Sequence, residues 1–341
     1  MALSLKAFGL HEWAFRLVPA LWGLMGMIVA WWLASLILPP GPRRWTAVVM
    51  ATTVEYFALA RFPLTDMVLS TLVAATLTAW YASWRQPWRR WGWLLLSGVA
   101  LGLALLTKGP IAAFLLVAIA GLHLLWTKRL LQGIVPGLFV LLVGCALAAP
   151  WYIAVQKANP DFNHYFFVVQ HLQRFSASGM DAHQAPFWYF LVMVPVGFAL
   201  WALLWPAALS RVGKKWRELD AESRDAAKLL IVWAGVVFVF FSASSSKLPT
   251  YVLPMWWPLA VGTAVTGWNA FSRERLSSTV KAPLYFVGLI IILLGIGIFV
   301  YSGKQEYLPL ELAQGPMQLT GAFWLLAGLG LWLLPARLGG A

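Results

Sequence analysis

The chain has 341 residues, 61% of them hydrophobic and only 11% charged, which leaves too little polar surface to cover a water-soluble body of this size. A net charge of +13 does not mark a nucleic-acid binder, because the basic residues sit in short clusters between apolar runs, where they orient a membrane protein. One cysteine, Cys145, inside an apolar run excludes both a disulfide framework and a CxxC metal site.

In chain order, runs able to cross about 30 Å of hydrocarbon are expected at residues 16–38, 46–60, 64–83, 93–107, 110–126, 130–150, 186–208, 228–243, 250–270, 282–301 and 317–335. The expected fold is all-α, a polytopic bundle of about 11 transmembrane spans forming a single domain, 1–341. If the spans alternate, 17 of the 25 Lys and Arg fall on one side, among them Arg43, Arg85, Arg129, Arg211 and Lys228. That side is cytoplasmic by the positive-inside rule. The mixed-charge loop from Arg211 to Lys228 reads as a solvated connector without chemistry.

Eight cations remain on the outer side, where orientation does not require them: Lys6, Arg16, Arg61, Lys108, Lys157, Arg174, Lys247 and Lys304. With Asp66, Asp161 and Asp181 they place both signs of charge at the outer membrane surface, the pattern of a site for an anionic ligand. Asp66 follows the turn Arg61-Phe62-Pro63-Leu64-Thr65 and has two readings, a helix cap or a carboxylate that binds a metal or orients a hydroxyl. Glu55 lies within an apolar run and must be neutral, paired or turned to a cavity. At Leu106-Thr107-Lys108-Gly109-Pro110, Lys108 is either an interface anchor or a ligand for a lipid phosphate. The run Ser242 to Ser246 offers helix-start residues before Pro249, while Lys247 and Tyr251, four apart, are able to face one phosphate.

The stretch 150–186 is too polar to lie in lipid and too aromatic to be free in water. Asn159-Pro160-Asp161 reads as a helix start, with Asn159 as cap, and the helix is expected to end near Phe175. At about 100° per residue His164, Phe167, His171 and Arg174 share one face, so the segment reads as a surface helix offering a basic, histidine-bearing edge.

ARFPLTDM, LLTKGP, APWYIAVQKANPDFNHYFFVVQHLQRF and FFSASSSKLPTYVLP resemble, in this order, stretches of bacterial GT-C membrane glycosyltransferases related to aminoarabinose (lipid A) transferase and protein O-mannosyltransferase. The resemblance implies inverting transfer of a sugar from a polyprenyl-phosphate donor to a lipid, glycan or protein acceptor at the periplasmic face of the bacterial inner membrane. It implies that Arg174, Lys247 and Tyr251, assisted by Lys108, hold the donor phosphate, that Asp66 is the catalytic carboxylate, and that His171 serves a divalent metal or the donor. Fixed cations suit this chemistry, because breaking a sugar–phosphate bond leaves charge on the lipid phosphate.

The family pattern places a further span and an outer loop ahead of a segment like Met1–Leu10, carrying the main acidic base and a Lys-Pro-Pro stretch. Glu12 does not match that base by motif, so the chain reads as N-terminally truncated, inactive alone or completed by another chain. With Arg337 soon after a span and the end close behind it, the chain is also expected to lack the soluble outer domain of longer relatives. Two other classes stay open. A transporter or flippase of lipid-linked sugars needs charges near mid-membrane between repeated halves, and a non-catalytic membrane protein leaves the outer lysines unexplained.

Overall fold

The computed structural model describes residues 1–173, 185–271 and scattered residues between 285 and 330. The chain divides into two units, Met1–Ala202 with Gly213–Val265, and Leu203–Val212 with Thr266–Ala341. The first carries the described core and site. In chain order its helices are α1 (Ala2–Phe8), α2 (Glu12–Ile37), α3 (Pro40–Thr52), α4 (Val54–Leu59), α5 (Asp66–Arg85), α6 (Arg90–Lys108), α7 (Ile111–Trp126), α8 (Leu130–Ala158), a π-wound α9 (His164–Gln173) and α10 (Tyr189–Phe198). Then come α11 (Trp205–Lys215), α12 (Ala221–Ala243) and α13 (Trp256–Phe271), of which α11 and α13 run on into the second unit.

Among the described residues five helices are long and apolar enough to cross a membrane: α2, α5, α6 with the turn before it, α8 and α12. The chain is therefore a multi-pass membrane protein. Several expected spans take another form. The run 46–60 is broken at Thr53 into α3 and α4, because Thr52 and Thr53 turn their hydroxyls back onto the carbonyls of Val48 and Val49 (2.6 and 2.7 Å), competing with the backbone ladder. The run 186–208 stops after ten helical residues at Ala199, whose φ of 46° lies in the left-handed region. The run 250–270 opens as a 3-10 turn between Pro249 and Pro254 before α13 begins. About half of 282–301 and of 317–335 lies outside the described residues.

The run 130–150 continues through Pro150 to Ala158. At 1.5 Å per residue these 29 residues reach roughly 44 Å, so the last turns leave the hydrocarbon and place Trp151 and Tyr152 where aromatic rings favour the interface. The stretch 150–186 thus begins as the end of a span. Asn159-Pro160-Asp161 does open the next helix, but Asn159 closes α8, both its N–H and its side-chain amide donating to the Val155 carbonyl. Gln156 secures the new turn instead: its Oε1 accepts from the Asn163 N–H at 2.9 Å and its Nε2 donates to the Pro160 carbonyl at 2.6 Å. The π winding that follows advances by less than 100° per residue, which turns His164 further from Phe167 than an α-helix does.

Helix α5 is the centre of the bundle, with 83% of its apolar stretch buried against 22% for α8. It packs on α6 and α2, and α6 packs on α8. Polar ties cross these interfaces where helices approach closely: Thr71 donates to the Trp22 carbonyl, Tyr56 to that of Gly23, Trp257 to that of Gly26 and Ser97 to that of Thr76. Such bonds in a bilayer contribute about 0.6 kcal/mol each. Because α5 and α6 run antiparallel with a short connection, Asp66 at the start of one and Lys108 at the end of the other share one end of the bundle.

Candidate functional site

At that end a hollow of about 350 Å³ opens between α5, α6, α7, α12 and the 3-10 turn. Lys108 Nζ lies 2.7 Å from Asp66 Oδ1, the carboxylate being mostly buried and the lysine about a third exposed. The same ammonium stands 5.3 Å from the centre of the Tyr251 ring, a cation–π distance. Among the described residues Asp66 is the first residue of α5 rather than its cap, which is Thr65, and its carboxylate accepts from Lys108. Tyr251 packs at a tilt against Phe241, and Phe240, Phe241, Phe166 and Leu115 give the hollow an apolar wall beside its polar rim.

The wall is fixed from below. Tyr152 donates to the Leu105 carbonyl at 2.8 Å and gathers Phe162, Phe166 and Phe167 around its ring, which sets the start of α9 against the end of α6. The serines before Pro249 do more than start a helix. Two of them, Ser244 and Ser246, line the hollow, and the Ser246 hydroxyl is buried without a hydrogen-bond partner among the described residues. Its only signal in the sequence was membership of the run 242–246 next to Lys247.

The expected donor ligands separate into three groups. Lys108 and Tyr251 meet in the hollow. Lys247 is almost fully buried next to it, and its ammonium donates to the carbonyls of Ala185, at 3.0 Å, and of Ser244. It thereby ties the segment that re-enters at residue 185 to the third outer corner, and loss of water around it pulls its pKa below that of a free lysine. Arg174 lies outside the described residues, as does the side chain of His171, whose backbone ends in α9. Among the described residues no three His, Cys, Asp or Glu side chains converge on a point that would hold a metal. Glu55 is not in the hollow. Its Oε1 is buried with no partner among the described residues, against Gly197, so of the alternatives for it pairing is not the one found.

Residues 1–153 match the family described as dolichyl-phosphate-mannose-protein mannosyltransferase. The whole described fold corresponds to the GT-C membrane fold: the crystal structure of ArnT from Cupriavidus metallidurans bound to undecaprenyl phosphate superposes with a TM-score of 0.71 at 24% identity, covering 98% of this chain and 65% of that one. The resemblance to the aminoarabinose transferases is borne out as well. The chain is 33% identical over 297 residues to the undecaprenyl phosphate-alpha-4-amino-4-deoxy-L-arabinose arabinosyl transferase of Erwinia tasmaniensis, covering 84% of this chain and 52% of that protein. A second such transferase, from Proteus mirabilis, is 32% identical over 262 residues, with coverages of 75% and 46%. The chain spans about half the length of the curated relatives it matches.

Proposed function

We propose that this chain is the membrane part of an inverting glycosyltransferase that moves a sugar from a polyprenyl-phosphate donor to a lipid or glycan acceptor at the periplasmic face of the bacterial inner membrane. The relatives' names favour an aminoarabinose donor carried on undecaprenyl phosphate, and the resemblance of the sequence motifs implies lipid A as the acceptor class. The observation that carries the reading is the half-buried Asp66–Lys108 pair above Tyr251, set in a hollow with a polar rim and an aromatic wall. Such a hollow takes an anionic head and the first apolar units of its tail together.

In this reading Lys108, Tyr251 and Arg174 face the donor phosphate, with Lys247 holding the loop beside it. As the sugar–phosphate bond breaks, charge collects on the phosphate oxygens, and cations already fixed in place stabilise that state without reorganising. Asp66 keeps the Lys108 ammonium aimed at the rim, and to act as base on an acceptor hydroxyl it first has to release that ammonium. His171 remains the proposed point of attachment for a divalent metal, whose contribution would be to neutralise phosphate charge.

Donor transfer in membranes tests the reading. Arg174→Ala is expected to abolish transfer and donor binding together, and donor binding at the unaltered level would remove Arg174 from the site. Sidedness is tested separately, on a chain in which the exposed Cys145 has been replaced by alanine. Asn163→Cys, exposed at the start of the surface helix, is expected to react with an impermeant thiol reagent added to spheroplasts. Arg89→Cys, exposed at the other end of the α5–α6 pair, is expected to react only after lysis.

A further inference from the structure

A second polar hollow, of about 500 Å³, lies at the opposite end of the same bundle, where α5 ends, α7 turns into α8 and α12 begins. The loop from Arg211 to Lys228 is therefore more than a solvated connector, because its second half is the first turns of α12, started by Asp220, whose carboxylate accepts from the Ser223 N–H at 2.7 Å. Arg85 pairs with Glu222 at 2.7 Å, and Arg129 pairs with Asp225, which also stands 3.4 Å from His123 Nε2. These pairs neutralise two of the four cations that line the hollow.

The other two have no carboxylate among the described residues. Arg224 donates to the backbone carbonyls of Leu219 and Arg217 at 2.8 and 3.3 Å, and its Nε is buried without a partner among the described residues. Lys228 rests its ammonium over the Trp126 ring at 5.7 Å. A further donor, the buried indole N–H of Trp84 on the wall of the hollow, also has no partner among the described residues, and its ring is flanked by Arg90 and Arg129 at 4.9 and 5.5 Å. Two surplus positive charges and unspent N–H donors around one cavity define a site for an oxyanion.

We infer that this hollow binds the phosphate group of an anionic phospholipid from the leaflet opposite the proposed transfer site. Its surroundings favour a lipid over a soluble phosphate. Trp88, Trp91 and Trp126 stand 76, 56 and 44% exposed around the same end of the bundle, the depth at which tryptophans meet headgroups. Basic hollows between transmembrane helices on the positive-inside face are suited to anionic headgroups. The bound lipid would tie the α7–α8 turn to the start of α12 through their shared cations, and the inference does not depend on the proposed transfer reaction.

Native mass spectrometry of the detergent-solubilised chain, with phosphatidylglycerol against phosphatidylcholine, tests it. The unaltered chain is expected to retain phosphatidylglycerol selectively, and Arg224→Gln with Lys228→Gln is expected to weaken that retention roughly tenfold or more. Lys228→Gln alone, which leaves the carbonyl bonds of Arg224 in place, is expected to show a smaller loss in a fully folded chain. Retention equal to that of the unaltered chain in both variants overturns the inference. Displacement of the lipid by millimolar inorganic phosphate overturns the choice of a lipid over a soluble anion. Lys108→Met, at the far end of the bundle, is expected to leave phosphatidylglycerol binding unchanged, and its loss there would place the lipid in the outer hollow and overturn the inference.

Discussion

Transfer by a Lys108→Met variant is expected to fall by roughly 10²- to 10³-fold, the range seen when one preorganised donor is removed from a developing oxyanion. The size follows from the setting. The ammonium is held by Asp66 at 2.7 Å, stands over Tyr251 and is only about a third exposed, so its field reaches a phosphate in the hollow with little screening by water. Methionine keeps the length and apolar stem of the side chain and removes the charge. Asp66→Asn separates the two roles open to the carboxylate. If Asp66 positions Lys108, donor binding and transfer weaken together, and the double variant loses no more than Lys108→Met alone, since neighbours acting as a unit are not additive. If Asp66 is the base, transfer collapses while labelled donor still binds. Either single change also leaves a charge without its partner, and the pair is exposed enough that a loss of only about 1–2 kcal/mol of stability is expected. Transfer and donor-binding assays on the same preparations separate these outcomes from simple unfolding.

The sequence announced the ends of this site better than its middle. Asp66, Lys108 and Tyr251 were legible because each sits where an apolar run gives way to a turn rich in proline, glycine or serine, and charge at such a corner is rare enough to draw notice. Their mutual contact was legible only through sidedness, since counting spans put all three on one face. The Asp66–Lys108 bond itself was not, because it depends on how α5 and α6 dock, and apolar periodicity does not report that. Lys247 shows the converse. It sits beside the hollow, but its ammonium bonds the Ala185 and Ser244 carbonyls, the first of them set by a segment that re-enters 62 residues earlier in the chain. Span counting failed where hydropathy is blind to backbone chemistry. Thr52 and Thr53 break a run that is apolar on average, Ala199 breaks another through a left-handed φ, and Pro150 fails to break a third because a helix emerging from the bilayer tolerates it.

Replacing Gly98 or Gly102 by valine is expected to destabilise the chain by about 1–3 kcal/mol each, and the pair together by enough to lower the unfolding temperature in detergent by several degrees. Helix α6 meets α8 through these glycines. A Cβ at Gly98 would lie 2.6 Å from Val143 Cβ and 3.2 Å from the Val140 carbonyl oxygen, and one at Gly102 would lie 2.9 Å from Leu147 Cβ and 3.0 Å from the Gly144 carbonyl oxygen. Backbone stands on the far side of both contacts, so side-chain repacking alone cannot relieve them. In a bilayer, where lipid chains compete on equal terms with apolar side chains, such close approach between small residues is what holds two helices together. Gly92 and Gly121 serve as controls, since a Cβ at either meets nothing within 4 Å and alanine there is expected to be neutral or slightly stabilising. The consequence reaches the site, because Lys108 lies six residues beyond Gly102 on the same helix, about 9 Å along its axis. A valine that shifts α6 against α8 also changes the position of the ammonium relative to Asp66. Gly102→Val should therefore lose transfer out of proportion to its loss of stability at temperatures where it is still folded, whereas Gly121→Ala should lose neither.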